Sequence, residues 1–202
     1  MENHIITAKK WLESAKEALP YFDIIPEDVR LTDIDFEFEA PHGGKCRGFM
    51  LVDGHRYHLC DICDLFPPFA DVRKWLETIT EINSINRFNS AILTIDCSGY
   101  ITTITIHQVE WRELPSSSNR SVPLPVSILM VWRKGCRHDD RFVCFCDTNR
   151  TVKNFYHSLM DVLKRHSSLF NSEQHWHAVS GRGIMVSEKY RAQLFLKRIE
   201  YL

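Results

Sequence analysis

The densest run of chemistry-bearing side chains is 55–63, which holds His55, His58, Cys60 and Cys63; Cys144 and Cys146 supply two more thiols. Thiolate sulfur and imidazole nitrogen are the usual zinc ligands, and four of them converging tetrahedrally make a structural site. His58, Cys60, Cys63, Cys144 and Cys146 are therefore the candidate metal ligands. Their spacing argues against them as a set. A Cys-x-x-Cys pair chelates best from a tight knuckle, and this one ends a strand-like run. Cys144 and Cys146 fall on one face of another strand with side chains roughly 7 Å apart, too far to share an ion easily. A thioredoxin-like use of Cys60 and Cys63 needs the first thiol at a helix start in a βαβ unit, and the next helical pattern begins later. The favoured reading makes Cys60, Cys97, Cys144 and Cys146 buried small apolar groups. No cofactor is expected, with zinc as the alternative.

His175, Trp176 and His177, followed by Ser180, Gly181, Arg182 and Gly183, form a second constellation. Two histidines two residues apart could share a metal, or one could act as a general base. The glycines let the backbone approach an anion, with Arg182 supplying charge. The run lacks the Gly-Lys-Ser/Thr ending of a phosphate loop, and no Gly-x-Gly-x-x-Gly follows a strand. A loop in which Trp176 covers the core accounts for it more simply. His175, Trp176, His177 and Arg182 remain the binding candidates, since long polar aromatic loops often carry binding.

Asp33, Asp35, Glu37 and Glu39 form a third group, four carboxylates on one face of a strand. They need a cation or a cationic partner, unless they form a solvated or aggregation-blocking edge. The second explanation is preferred. The turn with Arg133, Lys134, Arg137 and His138 is cancelled by Asp139 and Asp140. No nucleophile elbow, HExxH helix or EF-hand loop occurs.

The elements that would position these groups follow from periodicity. Ile5, Ala8, Leu12, Ala15 and Leu19 describe an amphipathic helix ending near Pro20. Ile34, Phe36 and Phe38 alternate with acids as a half-buried strand. Cys46–Val52 is a strand covered on both faces, and Asp53-Gly54 is a type I′ hairpin signal into the strand from His55 to about Ile62. Val72, Trp75, Leu76, Ile79 and Ile82 mark a second helix. Ala91, Leu93, Ile95 and Cys97 form the next strand, which turns at Ser98-Gly99. In the following strand Ile104 and Ile106 face opposite to Val109 and Trp111, which implies a β-bulge near His107 and Gln108. Residues 115–125 read as a mobile loop within a broader loop spanning 112–125. Val126–Arg133 is apolar on both faces and returns through Arg141–Cys146. Asp147, Thr148 or Asn149 caps a helix carrying Val152, Phe155, Leu159, Val162 and Leu163. Residues 167–185 are irregular, and Ser187 caps a last helix.

This order predicts an α+β fold: a mainly antiparallel twisted sheet of about seven strands, a meander plus hairpins, with four helices packed on it. The chain reads as one domain, or as two fused sheet-plus-helix lobes at 1–88 and 89–202.

The chain has 202 residues, of which 44% are hydrophobic and 25% charged, with a formal net charge of −1. That balance disfavours a nucleic-acid binder. No stretch approaches the ~20 apolar residues of a membrane helix, so no membrane partner is expected. The seven cysteines are odd in number and lack a disulfide-like spacing, which points to a reducing, cytoplasmic setting. The expected function is a non-enzymatic interaction or ligand-binding module for a protein or small molecule, a description that a regulatory or toxin-neutralising protein fits. The rival is a metal-dependent hydrolase using His55, His58, His175 or His177 with a carboxylate from 33–39, or a structural zinc protein.

Overall fold

A computed structural model describes Glu13, Lys16 and residues 31–43, 45–63, 68–80, 90–97, 99–114, 122–135 and 139–166. Seven strands and two helices follow in the order β1 (Ile34–Phe38), β2 (Lys45–Val52), β3 (His55–Cys63), α1 (Phe69–Thr80), β4 (Ser90–Asp96), β5 (Tyr100–Leu114), β6 (Val122–Gly135), β7 (Asp139–Asp147) and α2 (Thr148–Arg165). All strand pairs are antiparallel.

The class is α+β, but the expectation of one seven-stranded sheet bearing four helices does not hold. The strands divide into two sheets, β1-β2-β3 and β4-β5-β6-β7. α1 lies between them in sequence, so β3 and β4 cannot join through a hairpin. Two helices are described; those read over Ile5–Leu19 and after Ser187 lie outside the described residues, save Glu13 and Lys16.

Local signals fold as their chemistry dictates. Asp53 and Gly54 both take positive φ, 48° and 81°, and set Val52 opposite His55. A type I′ turn requires that geometry. The bulge in β5 falls between Gln108 and Glu110. A second bulge, in β3, sets the extra residue Leu59 against the Gly48–Phe49 step of β2 and had no sequence signal beyond the glycine. There the missing Cβ matters. An alanine methyl at Gly48 would come within 2.7 Å of Phe38 Cε1 and 2.9 Å of Cys60 Sγ.

The loop expected over 112–125 is shorter than its composition implies. The β5–β6 ladder runs on to Leu114 opposite Val122, and Pro123 and Pro125 lie inside β6. β7 pairs with β6 only as far as Val126. Beyond that point one side of β6 has no neighbouring strand among the described residues, and proline's missing N–H is tolerated there.

One buried cluster draws on both sheets and both helices, among them Phe36 and Phe38 of β1, Trp75 of α1, Leu93 and Ile104 of the second sheet, and Phe155 of α2. Val126, Ile128, Met130, Val143 and Phe145 form a second cluster on the opposite face of the four-stranded sheet, with Leu31 and Val109 against it. This is why Val126–Val131 is apolar on both faces.

α2 begins where an acid can cap it. The Asp147 carboxylate accepts from the Arg150 N–H at 3.0 Å, and Lys164 and Arg165 occupy the last turn. Asp147→Ala should lower the free energy of unfolding by about 1 kcal/mol, read as a shift in urea midpoint at constant slope.

Candidate functional site

The acidic strand is neutralised from within the chain. Arg56 reaches from β3 to Glu37 at 3.1 Å and Glu39 at 2.7 Å. Arg150 pairs with Asp33, and Asn154 donates to Asp35 and to the Ile34 carbonyl. The Arg56 guanidinium also lies 3.4 Å from the centre of the Phe49 ring. These carboxylates thus fasten β1 to β3 and to α2.

His58 is half-buried, and its Nε2 lies 2.9 Å from Asp61 Oδ1 and 3.5 Å from Tyr100 Oη. Here β3 meets the second sheet through side chains. Thr102 Oγ1 donates to the Leu59 carbonyl at 2.8 Å, and Arg133 Nη1 donates to the His58 carbonyl at 2.8 Å. The Asp61 N–H donates to Cys97 Sγ at 3.4 Å. Arg133 also stacks 5.1 Å from the Tyr100 ring centre. The free edge of β3 is therefore closed by the other sheet, and the imidazole–carboxylate pair sits at that seam.

Cys60, on the inner side of β3 opposite Gly48, is fully buried. Cys46, Cys97, Cys144 and Cys146 are buried free thiols as well. Burial pushes each of them up, Cys46 and Cys146 to about 12 and Cys60 and Cys144 well above the ordinary thiol value. A thiol held in its neutral form is a poor nucleophile and a poor metal ligand.

The metal-ligand candidates fall in different settings. His58 is on the outer face of the three-stranded sheet with Phe49, Cys60 is on the inner face, and Cys63 ends β3 opposite Lys45. Cys144 and Cys146 lie in β7 opposite Leu129 and Ser127. Among the described residues no group of three or more His, Cys, Asp or Glu is placed to hold a metal ion. The binding candidates His175, Trp176, His177 and Arg182 lie outside the described residues.

Sequence reasoning missed a groove of about 440 Å³ between α1 and β4. It is lined by Asp71, Lys74, Trp75 and Thr78 from the helix and by Ser90, Ala91, Ile92 and Thr94 from the strand. α1 is fixed there because Val72, Trp75 and Leu76 are buried and the Trp75 indole N–H donates to the Ala91 carbonyl at 3.2 Å. Among the described residues β4 is the outermost strand of its sheet. Its closing turn has Cys97 N–H donating to the Tyr100 carbonyl. Alternation along an antiparallel ladder then turns the backbone groups of Ile95, Leu93 and Ala91 toward β5, and those of Ser90, Ile92, Thr94 and Asp96 outward. Ile92 is 65% exposed, the most exposed large apolar side chain described.

The other sheet edges are covered or charged. β3 is closed by Thr102, Arg133 and Cys97, as above. β1 carries acids and gives the Ile34 carbonyl to Asn154, and the Thr32 N–H bonds the Phe145 carbonyl of β7 at 2.8 Å. β7 starts with Asp139, Asp140 and Arg141. β4 has no proline and no bulge, and its one charge, Asp96, stands at its end. Natural edges ordinarily use such guards. The signal was present in the sequence as an isoleucine at an outward position of an alternating strand.

Among the described residues, no helix is long and apolar enough to cross a membrane. No protein-family model, curated protein or solved structure matches the chain.

Proposed function

We propose that the protein is a non-catalytic interaction module that takes an extended strand onto the open edge of β4, beside α1. The observation that carries this reading is an outward-facing backbone at Ser90, Ile92 and Thr94 that pairs with no strand among the described residues, next to a groove. Strand addition to such an edge draws affinity from main-chain hydrogen bonds and specificity from pockets for alternate side chains. Ile92 supplies apolar contact, and Asp71 and Lys74 supply charge at the groove wall. The thiols support a non-catalytic reading, because burial holds them neutral.

A displayed random-peptide library selected on the immobilised protein should return β-branched segments poor in proline. Ile92→Lys should weaken their binding at least about tenfold, since it places a charge on the edge, which natural proteins use to block strand addition. Ile92 is exposed, so the variant should melt within about 0.5 kcal/mol of the parent. Failure to enrich any peptide, or enrichment of peptides indifferent to Ile92→Lys, would overturn the reading.

A further inference from the structure

We infer that the strand received by β4 carries one basic and one acidic side chain flanking a β-branched residue, the two charges meeting Asp71 and Lys74 while the central residue lies beside Ile92. The inference rests on the open-edge reading above and names the chemistry of its occupant. Ala91, Leu93 and Ile95 belong to the buried cluster that also takes in Val72, Trp75 and Leu76 of α1, so α1 covers that face of β4. Ile92, 65% exposed, is on the opposite face. Residues directly opposite on neighbouring strands share a face. A residue facing Ile92 therefore sits on the Ile92 side of the sheet, and its two chain neighbours turn toward α1 and the groove.

What they meet there is charged. The helix lines the groove with Asp71, Lys74, Trp75 and Thr78, of which Asp71, Lys74 and Thr78 are exposed. From Asp71 to Thr78 the helix rises about 10 Å, and from Ser90 to Thr94 the strand rises about 13 Å, so the two walls of the groove match in length. Arg73 and Glu77, on the same helix, pair with each other at 2.8 Å. Asp71 and Lys74 form no ion pair among the described residues, with each other or with a third group. Side chains three apart on a helix stand about 5–6 Å apart at Cβ, and alternate residues of a strand stand about 7 Å apart. Two groove-facing residues of the added strand thus match the spacing of Asp71 and Lys74. Electrostatic complementarity then asks for a base at the acid and an acid at the base. Asp96, the fourth outward residue of β4, is not among the residues that line the groove.

The test uses labelled Thr/Val-rich peptides with the central triplets Lys-Val-Glu, Glu-Val-Lys, Lys-Val-Lys and Glu-Val-Glu, titrated against the full chain by fluorescence anisotropy. The better of the two mixed-charge peptides should bind about threefold or more tighter than either like-charged one, the size expected when one exposed ion pair replaces one like-charge contact. The difference should shrink at high salt. Asp71→Lys makes the groove wall basic and should move the preference to Glu-Val-Glu. Lys74→Asp makes it acidic and should move the preference to Lys-Val-Lys. Each variant decides alone if the other fails to fold. Ile92→Lys should weaken all four peptides. Equal binding of the four, or a preference that neither groove variant moves, overturns the charge assignment; if that binding still depends on Ile92, the open-edge reading stands. If no peptide binds, or none depends on Ile92, both fall.

Discussion

Phe155→Ala should lower the free energy of unfolding by about 3–5 kcal/mol. Phe155 is 1% exposed, and its ring meets three others edge-on. The centroid distances are 5.0 Å to Phe36, 5.6 Å to Phe38 and 5.3 Å to Trp75. These partners come from β1 and α1, so one side chain of α2 ties the first sheet and the other helix into one core. The three partner rings are held by their own strand and helix and cannot slide inward to refill the space. The void should therefore persist, which puts the cost toward the upper part of the range for aromatic truncation. Against a typical total of about 5–15 kcal/mol, that is a large fraction. Guanidinium titration should show the midpoint falling with an unchanged slope. Phe155→Leu, which keeps most of the volume, should cost clearly less. A Phe155→Ala loss under about 1.5 kcal/mol, the size of a volume-conserving swap, would mean that this contact does not hold the elements together.

Much of this architecture was legible because it is local. Alternation in Ile34–Phe38 and Ser90–Asp96 reports one buried face, and both strands show that pattern. The Asp53-Gly54 turn, the bulge after Gln108 and the Asp147 cap each follow from two or three neighbouring residues. The division into two sheets was not legible. Alternation states which residues are buried, not which strand lies alongside. The seam is made by Thr102 and Arg133 bonding the backbone of Leu59 and His58, across separations of 43 and 75 residues. Neither residue type signals such a contact. The bulge at Gly48 adds to this, since it sets Leu59 and Cys60 both into the interior and breaks the simple in-out count along β3.

The candidate site was harder to see for a different reason. Side chains able to do chemistry stand out in a sequence, and in this protein those are the ones the fold engages internally. His58 is taken by Asp61 and Tyr100, and the acids of β1 are taken by Arg56, Arg150 and Asn154. The β4 edge carries only one charge, Asp96 at its end, and that pattern carries meaning only once the strand is known to be outermost among the described residues.

Raising the pH from 9 to about 11 should unfold the protein cooperatively. Cys46, Cys60, Cys97, Cys144 and Cys146 are all raised by burial, Cys46 and Cys146 to about 12. In the unfolded chain a cysteine ionises near about 8.5. Below that pH both states keep the proton, and the thiols leave stability unchanged. Above it the unfolded state releases protons that the folded state still holds. The unfolded state then binds fewer protons, and stability falls by up to about 1.4 kcal/mol per pH unit for each thiol. The fall continues until the folded thiols themselves ionise, near 12 for Cys46 and Cys146. Tyr100, also pushed up by burial, acts with the same sign above the ordinary phenol value near about 10. Cys46, Cys60, Cys144 and Cys146 acting together can remove the several kcal/mol of a typical domain within about two pH units. Melting temperature followed across this range should drop steeply above pH 9, and Cys146→Ala should flatten the slope by about 1.4 kcal/mol per pH unit. The same physics governs reactivity. A thiol nucleophile works as its thiolate, which a catalytic site favours by lowering the pKa, whereas these five sites favour the neutral form. Iodoacetamide at pH 8, followed by peptide mapping, should leave Cys46, Cys60, Cys97, Cys144 and Cys146 unmodified in the folded protein and modify them in urea. Rapid alkylation of Cys97 in the folded state would place a reactive thiolate beside Asp61 and Thr102, and the seam between the sheets would then have to be reread as a catalytic centre.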